Sequence, residues 1–158
     1  MGIEVLSFYK YSEIKNLLLT KHTDLGYYMY KILAQNSFKK FAQSFVFESP
    51  IVSIAIDDVP SQGGYSHTAL INKELKSSSI QPLYNKLRAK NKVSYAGKSK
   101  EFRLLNPRNF ELKPFEEKEL ILVDDIITSG ATLTQAIQIM QAHKKEVLFC
   151  LTLADVGA

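Results

Sequence analysis

Apolar residues fall in short runs that are separated by polar turns along the whole chain. Residues 51–56 and 119–123 are the clearest runs, because each is almost continuously apolar over the length of a strand. A run of this kind is typical of a parallel strand that is buried on both faces. Weaker patterns predict three more strands, the first at a sheet edge, over residues 5–11, 81–84 and 147–153.

Amphipathic stretches with a period near 3.6 residues lie between these strands. The helix predicted over residues 132–142 places four apolar side chains on its buried face: Leu133, Ala136, Ile137 and Met140. Earlier helices are predicted from Ile14, Leu17 and Leu18 after an N-cap at Ser12, from Leu25, Tyr28, Met29, Ile32 and Leu33, and from Ala69 and Leu70 within residues 65–75. Alternating strands and helices predict an α/β fold with a mostly parallel twisted sheet flanked by helices. At 158 residues, we expect a single domain over positions 1–158.

Pairs of carboxylates follow both of the clearest strands. Asp57 and Asp58 come directly after residues 51–56, and Asp124 and Asp125 come directly after residues 119–123. In open parallel sheets, ligands bind beyond the carboxyl ends of the strands. We therefore expect the two acidic strand ends to frame a single site.

The turn after the second acidic pair has the composition of a phosphate-binding loop. Hydroxyl and glycine residues precede the helix, where free backbone N–H groups and the helix dipole favour an anion. The predicted loop for a 5′-phosphate comprises Ile127, Thr128, Ser129, Gly130, Ala131 and Thr132. Asp124 and Asp125 suit sugar hydroxyls, or a divalent cation carried by a phosphorylated sugar. An ordinary strand–turn–helix is the alternative, but adjacent carboxylates repel each other without a ligand or cation.

The positive charge of the chain is concentrated in one segment. The net charge is +4, whereas residues 86–108 alone carry +7, so the remainder is acidic. Residues 86–110 contain Gly97 and Pro107 and show no clean period, which predicts a long, exposed and mobile basic insertion. Candidates for contacts to pyrophosphate or to a nucleic-acid backbone are Lys98, Lys100, Arg103 and Arg108, with a solvated basic loop as the alternative.

Further candidate residues carry a functional and a structural interpretation each. Asp57 and Asp58 could hold Mg²⁺ through water, or cap the following turn. His67 could act as an acid–base group, although a surface or capping role is more common. Tyr95 could stack on a base. The aromatic residues Tyr27, Tyr28 and Tyr30 are predicted to be core rather than ligand-binding.

Composition excludes several classes of protein. The single Cys150 excludes an internal disulfide and a four-cysteine zinc site in this chain. No apolar run approaches the roughly 18 residues that span a bilayer, so no membrane insertion is expected. The N-terminus lacks a basic region followed by an apolar core. A cytoplasmic location is the expectation.

Residues 120–132 resemble the phosphoribosyl pyrophosphate (PRPP) signature of the type I phosphoribosyltransferases. Four apolar residues, two acids, two apolar residues and then Thr128-Ser129-Gly130-Ala131-Thr132 follow in that register. The resemblance implies a phosphoribosyltransferase-like fold, PRPP or another ribose 5-phosphate as ligand, and Mg²⁺ bound together with PRPP. Asp124 and Asp125 would then meet the ribose hydroxyls.

A second pattern is similar to the ComF (ComFC) family of competence proteins. Residues 96–108 show Ala-Gly-x-Ser-basic-x-x-Arg-x-x-Asn-x-Arg, and residues 64–67 stand where that family usually has Gly-Phe-Asn-Gln. The resemblance implies a phosphoribosyltransferase fold, single-stranded DNA as a partner in natural transformation, and contacts with other competence proteins. The zinc ribbon with which the family normally begins is not in this chain. The acidic Asp57-Asp58 loop also departs from the family. In phosphoribosyltransferases this loop meets the pyrophosphate, which two carboxylates would repel unless Mg²⁺ intervenes, so an active phosphoribosyltransferase of nucleotide salvage is the alternative and not the main expectation.

Overall fold

The computed structural model describes residues 2–19, 24–59, 65–90, 99–105 and 108–157. These ranges contain six strands and six helices. The strands are β1 (Val5–Lys10), β2 (Ile51–Ile56), β3 (Ile80–Ala89), β4 (Phe110–Leu112), β5 (Glu119–Ile127) and β6 (Glu146–Asp155). The helices are α1 (Tyr11–Leu18), α2 (Asp24–Gln35), α3 (Phe38–Ser44), α4 (His67–Lys73), α5 (Lys100–Leu105) and α6 (Ala131–Ala142). None of the helices in the described ranges is long and apolar enough to cross a membrane.

The strands form one sheet in the order β1-β6-β5-β2-β3-β4. All neighbouring strands are parallel except β4, which runs antiparallel to β3. The prediction of an α/β fold with a mostly parallel sheet is therefore confirmed, and β1 lies at an edge as expected. Because β2 and β5 are parallel neighbours, with Ala55 opposite Val123, their carboxyl ends lie side by side.

Helices cover the two faces of the sheet over separate cores. Helices α1 to α4 pack on one face, where Ile121 and Val123 of β5 point. Helix α6 packs on the other face through Leu133, Ala136 and Met140, against side chains that include Leu120 and Leu122. Beyond Val123 this alternation is not kept, since Ile126 packs in the core of α1 to α4 and Ile127 packs in the core of α6.

Strand β5 is longer than the apolar run predicted. Its ladder with β6 continues to Ile127, which pairs with Asp155, so both acids lie inside the strand. The predicted end at Val123 is wrong, because pairing with a ten-residue neighbour extends the strand past the last apolar residue. Strand β3 likewise extends to Ala89 instead of ending at Tyr84.

The predicted buried faces of α2 and α4 are correct only in part. In α2, Leu33 is buried as predicted, but Leu25, Tyr28 and Ile32 are about half exposed, and the rest of the buried side is formed by Gly26, Tyr30 and Ala34. In α4, Leu70 packs against the core as predicted, but the fully buried residues are Thr68, Ile71 and Asn72. Both helices carry apolar residues on more than one face, so their tertiary neighbours decide which face is covered.

The basic segment has more regular structure than expected. Lys86 and Arg88 belong to β3, and residues 100–105 form α5. Residues 91–98, including Tyr95 and Lys98, lie outside the described ranges, as does the side chain of Arg103. Helix α3 was also not predicted, because its seven residues are too few to show a clear period.

Candidate functional site

The turn between β5 and α6 has the geometry of an anion-binding loop. Gly130 is the N-cap of α6 with φ of 81°, a left-handed conformation that favours glycine. Its carbonyl oxygen accepts hydrogen bonds from the backbone N–H and the hydroxyl of Thr134 at 2.9 and 2.8 Å. The helix therefore starts directly at Ala131, and its first-turn N–H groups point out of its N-terminus.

A small, open pocket lies over this turn. Its lining includes Asp124, Thr128, Gly130 and Thr132, so one acid of β5 and the predicted phosphate loop share the same space. The combination of carboxylate, hydroxyl and backbone N–H groups can bind an anion and hydroxyl groups side by side.

Arg108 adds a guanidinium to this loop. Its Nε–H donates to Thr132 Oγ1 at 3.2 Å, and its backbone N–H donates to Gln135 Oε1 at 2.8 Å. Two contacts to α6 therefore hold the end of the basic segment against the predicted phosphate loop. Sequence reasoning grouped Arg108 with a pyrophosphate or nucleic-acid site, because nothing in the local pattern indicates its contact with Thr132, 24 residues later.

The two acids of β5 are in contact although the strand is extended. The carboxylate Oδ1 of Asp124 accepts the N–H of Asp125 at 2.8 Å, and Oδ1 of Asp125 accepts the N–H of Ile126 at 2.8 Å. A hydrogen bond also joins the two carboxyl groups. Each carboxylate is thus held by the backbone N–H that directly follows it, within the part of β5 that pairs with β6.

The environment of Asp124 opposes its ionisation. Burial raises the pKa of Asp124 well above its usual value, and the charge of Asp125 and the hydrogen bond between the two carboxyl groups add to this. The backbone N–H of Asp125 and the positive charge of Arg108 act in the opposite direction. The proton of Asp124 is therefore held to higher pH than that of an exposed aspartate, until hydroxyl donors or a cation stabilise both charges.

The acids after β2 serve the neighbouring strand. Both carboxylate oxygens of Asp58 accept the backbone N–H of Asn85, at 3.1 and 3.0 Å, and Oδ1 of Asp57 accepts the N–H of Ala89 at 3.2 Å. Asp58 is 7% exposed, and its burial raises its pKa above the usual value, against the hydrogen bond from Asn85. These contacts favour a structural role, and a magnesium role for Asp57 and Asp58 stays a prediction.

The donor set fits a protein-bound metal poorly. Within the described ranges, no group of three or more His, Cys, Asp or Glu side chains is arranged to hold a metal ion. A Mg²⁺ ion needs about six oxygens in near-octahedral geometry. Most of them would have to come from a phosphorylated ligand and water.

An aromatic cluster lies near the acids and was missed from the sequence. The Tyr30 ring is 5.0 Å from the His67 ring, and His67 is 4.8 Å from Tyr65, measured between ring centroids. Tyr27 packs edge-to-face on Tyr65 at 5.7 Å. Tyr30 is fully buried, and its hydroxyl has no hydrogen-bond partner among the described residues. These rings come from α2 and the start of α4, and their contact depends on the packing of the two helices.

The remaining basic candidates are not brought to the pocket by any described contact. Lys100 is an exposed residue at the start of α5. Arg88 and Lys90 are exposed at the end of β3, and Lys86 Nζ donates to the carbonyl oxygen of Pro114 at 3.0 Å. Of the basic residues predicted to bind an anion, Arg108 is the one that the described contacts place at the loop.

Comparison with known proteins finds similarity at the level of structure. No family model and no curated protein matches the sequence. The chain is similar to a hypoxanthine phosphoribosyltransferase from Staphylococcus aureus, with 14% identity, 80% of this chain and 62% of that chain covered, and a TM-score of 0.46. It is similar to an orotate phosphoribosyltransferase from Aeropyrum pernix, with 17% identity, 84% of this chain and 61% of that chain covered, and a TM-score of 0.46. It is also similar to a mutant hypoxanthine phosphoribosyltransferase from Trypanosoma cruzi complexed with IMP, with 15% identity, 82% of this chain and 63% of that chain covered, and a TM-score of 0.49. The chain spans about three fifths of the length of each of these three proteins.

Proposed function

We propose that this chain binds PRPP or a related ribose 5-phosphate at the carboxyl edge of its sheet, as a ComF-type competence protein that handles incoming DNA. The observation that carries the ribose phosphate is the sequence of groups around the pocket. One buried and one half-buried acid, a left-handed glycine and a helix N-terminus follow each other within eight residues, from Asp124 to Ala131.

The 5′-phosphate binds at the start of α6 in this proposal. Backbone N–H groups of the loop and the hydroxyls of Thr128, Ser129 and Thr132 act as donors, and the helix dipole favours the negative charge. The guanidinium of Arg108, already within 3.2 Å of Thr132, adds charge-assisted hydrogen bonds. Arg108 then serves the 5′-phosphate, and not the pyrophosphate.

The ribose binds over the acid pair. Asp124 and Asp125 accept hydrogen bonds from the 2′- and 3′-hydroxyls. Because the free pair resists full ionisation, the hydroxyl donors of a ribose stabilise the second negative charge that the protein alone leaves unfavourable. Mg²⁺ arrives with PRPP, held chiefly by the diphosphate oxygens of that ligand.

Nucleic acid binds to the basic side of the sheet in this proposal. Lys86, Arg88 and Lys90 alternate with the buried Leu87 and Ala89, so they share one face of β3. Like charges in a row repel one another, which costs electrostatic energy in the free protein. The same row attracts the phosphates of a polyanion. Strand β3 adjoins β2, so this row lies beside the edge that carries the proposed ribose site.

Calorimetric titration with ribose 5-phosphate tests the sugar-phosphate site. We expect binding of ribose 5-phosphate and none of ribose, since the phosphate provides the charge. Arg108→Gln is expected to weaken binding about tenfold through loss of charge-assisted hydrogen bonds. The matched control, Lys113→Gln, removes an exposed charge at the end of β4 and leaves the affinity unchanged. Absence of binding to the folded protein contradicts the proposal.

The same protein distinguishes binding from transfer. Incubation with PRPP, Mg²⁺ and a panel of nucleobases, followed by measurement of released pyrophosphate, detects a phosphoribosyltransferase. Pyrophosphate release with any one base favours the nucleotide-salvage alternative over the competence role.

Fluorescence anisotropy with a labelled single strand tests the nucleic-acid surface. Phosphate contacts predict that log K falls linearly with log salt, with a slope of about −0.7 per contact. Arg88→Ala with Lys90→Ala should reduce both the affinity and the slope. The control, Lys39→Ala with Lys40→Ala, removes two exposed charges from α3 instead of β3. It should change neither the affinity nor the slope. Equal effects of the two double variants would contradict a specific DNA surface on β3.

A further inference from the structure

Tyr30 places a polar atom in the core beside the proposed ribose site. The side chain is 0% exposed within α2, and its hydroxyl has no hydrogen-bond partner among the described residues. A phenylalanine would fill the same space without burying an unsatisfied donor. The hydroxyl therefore calls for an explanation other than packing.

The groups around this hydroxyl belong to the site. The charge of Asp125 acts on the phenol more strongly than those of Tyr65, Asp124 and Tyr11. Burial, which is the largest cause, and then these charges raise the pKa of Tyr30, so the hydroxyl keeps its proton and can only donate to a carboxylate. On the side of α4, the His67 ring lies against the Tyr30 ring, with 5.0 Å between the two ring centroids.

Asp125 has the capacity to accept such a donor. Ile126, the residue after Asp125, packs in the same core as Tyr30, so this end of β5 adjoins α2. The carboxylate Oδ1 of Asp125 accepts the N–H of Ile126 at 2.8 Å. A carboxylate offers about four acceptor positions, which leaves room for a ribose hydroxyl and a phenol together.

We propose that Tyr30 is a positioning residue for the acid pair, whose hydroxyl donates a hydrogen bond to the Asp125 carboxylate when that carboxylate is ionised and accepts a ribose hydroxyl. The inference rests on the proposed ribose 5-phosphate site. A donor to the charged form stabilises it, so Tyr30 offsets part of the cost of holding two negative charges side by side. In the free protein the Tyr30 hydroxyl has no hydrogen-bond partner among the described residues.

Tyr30→Phe tests this role, with Tyr28→Phe as the matched control on the exposed side of the same helix. We expect Tyr30→Phe to bind ribose 5-phosphate five- to tenfold more weakly, about 1–1.4 kcal/mol. Its affinity for inorganic phosphate, which needs only the loop, should be unchanged. The urea midpoint of the free variant should equal or exceed that of the parent. A lower midpoint would show a hydrogen bond already present in the free protein and overturns the proposal.

A double-mutant cycle separates positioning from packing. If Tyr30 acts through Asp125, Tyr30→Phe should have no further effect on ribose 5-phosphate affinity in an Asp125→Asn background. Additive losses overturn the proposal.

A ligand-free measurement separates failure of this inference from failure of the proposed function. Carboxyl-carbon NMR follows the ionisation of the acid pair, in which the positive charge of Arg108 also acts on Asp124. Tyr30→Phe should raise the midpoint for the second ionisation, whereas Tyr28→Phe should not. If the parent protein fails to bind ribose 5-phosphate, the proposed function is wrong, and an unchanged midpoint in Tyr30→Phe then overturns the inference separately.

Discussion

Two pairs of acids lie near the carboxyl ends of neighbouring strands, and their surroundings differ. After β2, Asp58 and Asp57 accept backbone N–H groups of Asn85 and Ala89, which are 27 and 32 residues further along the chain. In β5, Asp124 and Asp125 accept the N–H groups of the residues that directly follow them. The first pair is bonded to another strand, whereas Asp124 of the second pair lines the pocket beside the turn.

The difference comes from the neighbouring strand. Opposite β2, the register of β3 shifts, since Ile54 pairs with Leu83 but Ile56 pairs with Leu87. This bulge, with Asn85 at φ of 56°, leaves backbone N–H groups without a ladder partner, and the acids supply acceptors. Opposite β5, the register with β6 is continuous from Ile121 to Ile127. Acids beside a regular ladder retain acceptor capacity for a ligand.

The largest expected effect is the difference between the two acid pairs in how much their substitution weakens ribose 5-phosphate binding. Asp124→Asn with Asp125→Asn should weaken ribose 5-phosphate binding about 100-fold or more, since two charge-assisted hydrogen bonds contribute about 1.5–3 kcal/mol each. Asp57→Asn should change the affinity less than twofold. Calorimetry measures both variants, and comparable losses would show that the two strand ends share one function.

The second largest effect is a loss of protein stability when the acid pair after β2 is substituted. Asp58→Ala removes both acceptors of the Asn85 N–H and leaves that group buried in the bulge. We expect a decrease of about 1–3 kcal/mol in the free energy of unfolding, measured with urea. The affinity of the folded variant for ribose 5-phosphate should be retained. A variant of unchanged stability would refute the structural role of Asp58.

The smallest effect is the pH dependence of stability. The pKa of Asp124 is raised above its usual 3.8 in the folded protein, whereas the unfolded chain has the usual value. The unfolded state therefore ionises first, and the free energy of unfolding falls as pH rises from about 4 through the folded pKa.

Asp124→Asn should remove most of this fall and make the protein more stable than the parent at neutral pH. The pKa of Asp58 is also raised, so the free energy of unfolding of the Asp124→Asn variant should still fall slightly as pH rises. Urea unfolding from pH 3 to pH 8 measures both curves. A variant less stable than the parent at neutral pH would contradict the assigned environment of Asp124.

The elements that are buried on both faces could be predicted from the sequence. The boundaries of β2 match the apolar run 51–56, and the helix after Gly130 starts one residue before the predicted position. Continuous apolar runs and a glycine at a helix start carry this information locally. The faces of α2 and α4 could be predicted only in part, because apolar side chains such as Leu25 and Ile32 occur on the exposed side too.

Parts of the site could not be predicted for a related reason. The contact of Arg108 with Thr132 spans 24 residues, and the proximity of Tyr30 to Asp125 joins an early helix to a late strand. A tyrosine among apolar helix positions has the same local signature whether its hydroxyl meets solvent, a partner or nothing. Only the packing of α2 over the sheet distinguishes these cases.

The sequence by itself determined the strands, the α/β class and the order of acids, hydroxyls and glycine from Asp124 to Thr132, because these depend on neighbours along the chain. The tertiary structure decided which acidic pair is bonded to a neighbouring strand. That depends on the register of the adjacent strand, which shifts between Ile54 and Ile56 of β2 and is continuous from Ile121 to Ile127 of β5. It also decided that Arg108 and Tyr30 adjoin the proposed site, because both come from distant parts of the chain.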